Sequence, residues 1–192
     1  MRTPPEGERI HPETRAQWRA WLERHHATSD GVWLVFWRQQ SGRSGPTYED
    51  AVQEALCFGW IDSKHTRLDD DRTVLRFSPR KRGSGWARTN KVRIERLLRD
   101  GLMTEAGLAR IEEAKRDGSW TMLDAVEDLI VPDDLAAAFA EHPGARERWD
   151  ELPRSARRAA LVWIVQARRP ETRARRIAEA AQMTARGERP GR

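Results

Sequence analysis

The sequence predicts an α+β fold, with a small, mainly antiparallel sheet over about residues 31–78, flanked by the first two helices, and an all-helical C-terminal half. Three observations carry that prediction. Gly31 to Trp37, GVWLVFW, is continuously apolar and rich in β-branched and aromatic residues, and it is too short for a buried helix between its turn signals. It reads as a central strand covered on both faces. Trp60 to Leu68 and Arg72 to Ser78 shift toward alternation on either side of Asp69-Asp70-Asp71, which has the composition of a hairpin turn. After a basic, glycine-containing loop, the rest of the chain reads as helices.

Residues 1–10 are rich in proline, glycine and charge and are expected to be disordered. The first helix is expected near Pro12, since proline suits a first helical turn, and Trp18, Trp21, Leu22 and His25 then form one apolar stripe. In the strand that follows, period two places Trp33, Val35 and Trp37 on one face and Val32, Leu34 and Phe36 on the other. The second helix has a capping signal in Thr47 and Asp50, apolar residues Tyr48, Val52, Ala55 and Leu56 at helical spacing, and a stop at Gly59. Beyond the hairpin, the loop Ser78 to Asn90, SPRKRGSGWARTN, leads into a helix expected to begin near Ser84 to Trp86. Thr104 then caps a helix with apolar Leu108 and Ile111 and a stop at Gly118. Pro143-Gly144 separates two short helices. Pro170 separates two more, the first with a Ser155 cap and a core face through Ala159, Leu161, Val162 and Val165. The expected organisation is a disordered start (1–10), an α+β core (11–129) containing the basic loop (78–90), a helical lobe (130–187) and a disordered tail (188–192).

A chain of 192 residues can bury one good core, and 38% hydrophobic with 34% charged residues is the balance of a soluble globular protein. No apolar run approaches the roughly 20 residues that span a bilayer, so no membrane insertion is expected. The start, MRTPPEGERIHPETRAQW, lacks the apolar core of a signal peptide, and the single Cys57 excludes an internal disulfide and fits a reducing compartment. A cytoplasmic location is therefore expected. The net charge of +5 is unevenly spread: the basic residues between Arg72 and Arg99 face Glu95 alone, and those between Arg154 and Arg176 face Glu171 alone. Such fields attract nucleic acid, phosphate or acidic ligands, although arginines at helix-surface spacing also form a solvated face with intrahelical pairs.

Several residues invite a chemical reading. Cys57 and His65 could be paired as nucleophile and base, but no third orienting group accompanies them, and a small side chain on an amphipathic helix packs well. Cys57 is expected to be structural. The adjacent His25 and His26 point about 100° apart on a helix and cannot easily share a metal. Asp69-Asp70-Asp71 lacks the spacing of a calcium loop. Neither a metal nor a cofactor is expected. The loop is more informative: Arg80, Lys81 and Arg82 converge with backbone N–H groups and a helix N-terminus, the makings of an anion site. Trp33, Trp37, Trp60 and Trp86 lie on the sheet, at its entry and beside that loop, where flat aromatic faces suit an aromatic or anionic ligand.

ALCFGWIDSK, the DDDR turn, the strand end RFSPRK, the W…NK before a helix and the later WI…ARRPETRARRI together resemble the YdeI/OmpD-associated family, labelled bacteriocin-protection proteins. The resemblance runs from about residue 12 to residue 187, with residues 130–187 resembling the OmpD-associated region. It implies a stress- or antimicrobial-protection role and a periplasmic setting, and it implies no established reaction. The expected function is non-catalytic binding of an anionic or aromatic small molecule or peptide. The expected site is a cleft lined by Trp33, Trp60, Ser78, Arg80, Lys81, Ser84, Trp86 and Asn90. The alternative is a nucleic-acid-binding protein whose phosphate contacts come from Arg168, Arg169, Arg173, Arg175 and Arg176. A further alternative is an enzyme using Asp62, Lys64 and His65.

Overall fold

A computed structural model describes residues 6–191. The elements in chain order are β1 (Arg9–Ile10), α1 (Arg15–His25), β2 (Val32–Trp37), α2 (Tyr48–Cys57), β3 (Trp60–Arg67), β4 (Arg72–Pro79), α3 (Arg88–Arg99), α4 (Glu105–Arg116), α5 (Asp124–Glu127), α6 (Asp133–Ala140), α7 (Ala145–Glu151), α8 (Arg154–Val165) and α9 (Pro170–Ala185). The fold is α+β, as the sequence predicts: one four-stranded sheet in the N-terminal half and a helical C-terminal half. The chain forms two compact units, one up to Ser84 together with Thr89–Asp117, the other Gly85–Arg88 together with the residues from Gly118.

In the first unit the sheet order is β1-β2-β4-β3. The β3–β4 hairpin is antiparallel, β4 pairs antiparallel with β2, and β1 adds to the far edge of β2 in parallel. That last pairing corrects one expectation. Arg9 and Ile10 fall in the start predicted to be disordered, but β2 offers a free edge, and the Trp33 N–H donates to the Glu8 carbonyl at 2.9 Å. The disorder expected for residues 1–5 and 192 lies outside the described residues.

The hairpin turn follows the predicted chemistry. Asp69 Oδ1 accepts the N–H groups of Asp71 (3.0 Å) and Arg72 (2.8 Å), an Asx turn that fixes the register of both strands. Antiparallel partners share a face, so Val32 with Phe77 and Leu34 with Leu75 form one apolar face of the sheet. Helices α1 and α2 cover it. Trp18 stacks obliquely on Phe77 at 5.4 Å, and its indole N–H donates to the Ala51 carbonyl at 3.0 Å, tying α1 to α2. Helix α1 starts at Arg15 rather than near Pro12, because the Thr14 hydroxyl accepts the Gln17 N–H and caps the turn. Helix α4 crosses the end of α2 at close range. The Thr104 hydroxyl donates to the Cys57 carbonyl at 2.6 Å, and a Cβ on Gly107 would sit 2.3 Å from that oxygen, so only glycine fits there. Leu108, read as an apolar helix position, is 39% exposed.

The second unit has its own core, built on Leu135, Phe139, Trp149, Leu161, Ile164 and Ile177. Besides Gly85–Arg88 it takes in the chain from Gly118 on, with Leu123 and Val126 buried in that same core. Of the predicted core face of α8, Ala159, Leu161, Val162 and Val165, Leu161 is fully in the core and Val162 and Val165 pack against it partly buried, while Ala160 and Ile164 are buried beside Leu161. The helix enters after Pro153, with no Ser155 cap. The tail is held as well: Pro190 is buried, and Gly191 lies against Ala160. Among the described residues no helix is long and apolar enough to cross a membrane.

Candidate functional site

A group of polar residues gathers in the first unit, where the edge strand β3 meets the first turns of α2 and α3. Asp62 is registered opposite Phe77, so it projects on the helix-covered face of the sheet. Thr47 and Asp50 form the predicted reciprocal cap of α2, which fixes Tyr48 and Glu49 in its first turn. The Tyr48 hydroxyl donates to Asp62 Oδ2 at 3.1 Å, and Tyr48 is 51% exposed. From α3, Arg93 grips Glu49 with two parallel contacts, Nη2 to Oε2 at 2.7 Å and Nε to Oε1 at 2.9 Å. Arg93 Nη1 also donates to Asn90 Oδ1 at 2.9 Å. Arg80 completes the group: its N–H donates to the Gly59 carbonyl at 2.9 Å, which pins the end of β4 beside the start of β3.

These contacts set the protonation states. The hydrogen bonds from Arg93 hold the Glu49 carboxyl down at about 2. Partial burial and then the neighbouring Asp62 charge push the Tyr48 phenol up, so it stays protonated at neutral pH. Burial lowers Arg80 to about 10, with the Asp62 charge acting in the opposite sense.

Of the predicted site residues, the fold brings Arg80 and Asn90 into this group. Arg80, though it lies in a basic loop, is only 6% exposed: its backbone is pinned to Gly59, and its guanidinium feels the charge of Asp62. Lys81 is exposed, and its carbonyl accepts the Ser84 hydroxyl at 2.7 Å, closing a tight turn through Gly83 at φ 70°. Ser78 is registered with Ile61 and so belongs to the opposite face of the sheet from Asp62. Trp60 is buried, donating its indole N–H to the His26 carbonyl at 3.2 Å and meeting Trp21 edge-on. Trp33 packs with Val35 and Val74 on the other face of the sheet, its indole N–H on the Glu6 carbonyl. Trp86 belongs to the second unit, where its ring lies 5.1 Å from that of Trp120.

The sequence reading missed Tyr48, Glu49 and Arg93. Tyr48 was counted in the apolar stripe of α2, and the available signal was its place in the first turn directly after the cap. The other two meet only through the tertiary fold. A bulge between Asp62 and His65 keeps both on one face, and Lys64 in the bulge is exposed. Among the described residues no cluster of three or more His, Cys, Asp or Glu is placed to hold a metal ion.

Cys57 is fully buried, and burial, reinforced by the Glu54 charge, pushes its thiol up to about 11. At pH 8 the native protein should therefore resist iodoacetamide, while the denatured chain takes up one equivalent. Rapid native-state alkylation, read by intact mass, would contradict this burial.

Many of the arginines that make the chain basic are paired. In the first unit Arg72 binds Asp69 and Arg93 binds Glu49. In the second, Arg88 binds Asp128, Arg158 binds Glu127 and Arg173 grips Asp134 with contacts of 2.7 and 3.0 Å. The Arg176 guanidinium lies 5.1 Å from the centre of the Trp163 ring and donates to the Trp163 carbonyl. A hollow of about 580 Å³ beside the Arg173–Asp134 pair is lined by Ala138, His142, Ile177 and Gln182 among others.

Residues 10–110 match the family model described as a domain of unknown function (DUF8412). Residues 128–187 match the model described as Bacteriocin-protection, YdeI or OmpD-Associated. No curated protein and no solved structure matches the chain.

Proposed function

Because the chain belongs to the family of that N-terminal domain and carries the YdeI/OmpD-associated, bacteriocin-protection domain in its C-terminal part, we propose that it is a non-catalytic binding protein acting in antimicrobial protection. Its anionic ligand docks at the group of Tyr48, Asp62, Arg80, Asn90 and Arg93. The observation that carries the site is the half-exposed Tyr48 hydroxyl, 3.1 Å from an Asp62 whose charge is felt by both Arg80 and Arg93. Arg80, Arg93 and Arg96 outnumber Asp62 and Glu49, so the group attracts negative charge. Binding is favoured over catalysis by the direction of the pKa shifts. Glu49, Tyr48 and Cys57 are all displaced away from neutrality, whereas a general acid or base works best near the ambient pH. The pairing of Arg158, Arg173 and Arg176 within the chain favours a small ligand over nucleic acid, since those charges already have partners. A buried, unpaired Cys57 fits a cytoplasmic location.

The test is survival of bacteria expressing the protein under challenge with a cationic antimicrobial peptide. Tyr48→Phe removes only an exposed hydroxyl and should abolish protection while leaving the thermal midpoint unchanged. Full protection by both Tyr48→Phe and Arg93→Gln, at wild-type protein levels, would remove the site.

A further inference from the structure

A second polar corner lies at the other end of β2, around Trp37. The Arg43 guanidinium sits 4.5 Å from the centre of the Trp37 ring and that of Arg72 sits 5.8 Å from it, while the His11 ring packs obliquely at 4.6 Å. Three groups able to carry positive charge thus surround one half-buried indole. Their partners differ. Arg72 is neutralised by Asp69, with Nε to Oδ2 at 2.8 Å. Arg43, which is exposed, has no hydrogen-bond acceptor for its guanidinium among the described residues. His11 Nε2 is shut off from solvent and has no hydrogen-bond partner among the described residues.

The scaffold around this corner is firm. Arg38 Nη1 and Gln40 Nε2 both donate to the Asp70 carbonyl, at 2.9 and 2.8 Å, which fastens the short turn Gln39–Ser41 to the hairpin turn. Arg38, Gln39 and Gln40, which directly follow Trp37, line a hollow of about 440 Å³ of their own. A guanidinium held over an aromatic ring by its charge keeps N–H donors available, and its fork matches the oxygens of a phosphate or carboxylate.

We propose that the Trp37 corner is an oxyanion-binding site, in which Arg43, placed over Trp37, supplies the charge and the donor fork, bordered by the Asp69-paired Arg72 and by the His11 ring. The reading is independent of the Tyr48 group. Burial, followed by the charges of Arg72 and Arg43, lowers the His11 pKa, with Glu13 and Asp69 opposing. An anion at this point offsets that repulsion. His11 is a positioning residue here, since its Nε2 is covered by the fold.

Inorganic phosphate and acetate, titrated separately into the full chain, separate the two oxygen chemistries. The readout is the indole N–H signal of Trp37 in proton–nitrogen spectra, assigned by its loss in Trp37→Phe. Phosphate should shift it saturably with a Kd of about 1 mM or tighter. Arg43→Ala should weaken binding by at least about tenfold, and Arg43→Lys, which keeps charge but loses the donor fork, by a smaller factor. Arg99→Ala, on the far end of α3, should leave it unchanged. A shift for acetate alone would assign the corner to carboxylates. No saturable shift with either anion, or an Arg43→Ala variant that binds as the wild type does, would overturn the proposal.

Discussion

Replacing Glu54 by alanine should destabilise the first unit by roughly 3 kcal/mol, the low end of the range for removing one partner from a buried ion pair. Glu54 is 3% exposed on the inner face of α2, a depth at which a carboxylate persists only if its charge is met. Two arginines of α1 meet it. Arg15 Nε lies 2.5 Å from Oε1, and Arg19 Nη1 lies 2.8 Å from Oε2. The bridge is therefore a contact between helices that also fixes the angle at which α1 covers the sheet. The low end applies because Arg15 and Arg19 keep 36% and 29% side-chain exposure and can rehydrate, and Arg15 retains Asp50 at 3.1 Å. Glu23→Ala is the control: its pair with Arg19 is at 3.4 Å on a carboxylate that is 55% exposed, and it should cost less than about 0.5 kcal/mol. Amide hydrogen exchange of α1 and α2 in both variants decides the matter. Equal loss of protection in the two would mean that the Glu54 bridge contributes nothing beyond a surface pair.

Glu54 also marks where the sequence stops informing. Elements with local signals were readable: the capping box of Thr47 and Asp50, the aspartate turn at 69–71 and the apolar run of β2 each depend on neighbours a few residues apart, and each appears as read. Side-chain destinations were not. Trp33 and Trp60 carry flat faces that would serve a ligand or a core equally, and only the sheet register and the packing of α1 assign them to cores. Arg80 follows a strand in a basic run, the usual setting of an exposed charge, yet its backbone is pinned to Gly59 and its side chain is buried. Tyr48 illustrates the converse. Its ring counts as apolar in any periodicity, but its hydroxyl and its first-turn position decide its role, and its partner Asp62 lies on another element. Of the candidate site, the loop and Asn90 could be named from sequence, while the Glu49–Arg93 bridge that ties α2 to α3 is a product of tertiary folding.

Leu34→Ala should cost the first unit roughly 2–5 kcal/mol, since deleting buried methyl groups adds a cavity term to the lost transfer energy. Leu34 lies at the centre of β2, an interior strand, and is fully buried, registered with Ile10 on one side and Leu75 on the other. Its side chain belongs to the face that α1 and α2 cover, with Val32, Leu75 and Phe77 as neighbours, all nearly or fully buried. Collapse of that face around a smaller residue is resisted by the sheet below, whose spacing is set by backbone hydrogen bonds, so the site cannot relax fully. Two compact units make a single global midpoint an unsafe measure. Amide hydrogen exchange of β2 and β4 reports on the first unit directly. Protection at the amides of β2 and β4 should fall by at least about thirtyfold in Leu34→Ala, the factor that corresponds to roughly 2 kcal/mol. Protection within about twofold of the wild type would mean that β2 does not hold the sheet together, and the placement of this strand at the centre of the first unit would have to be given up.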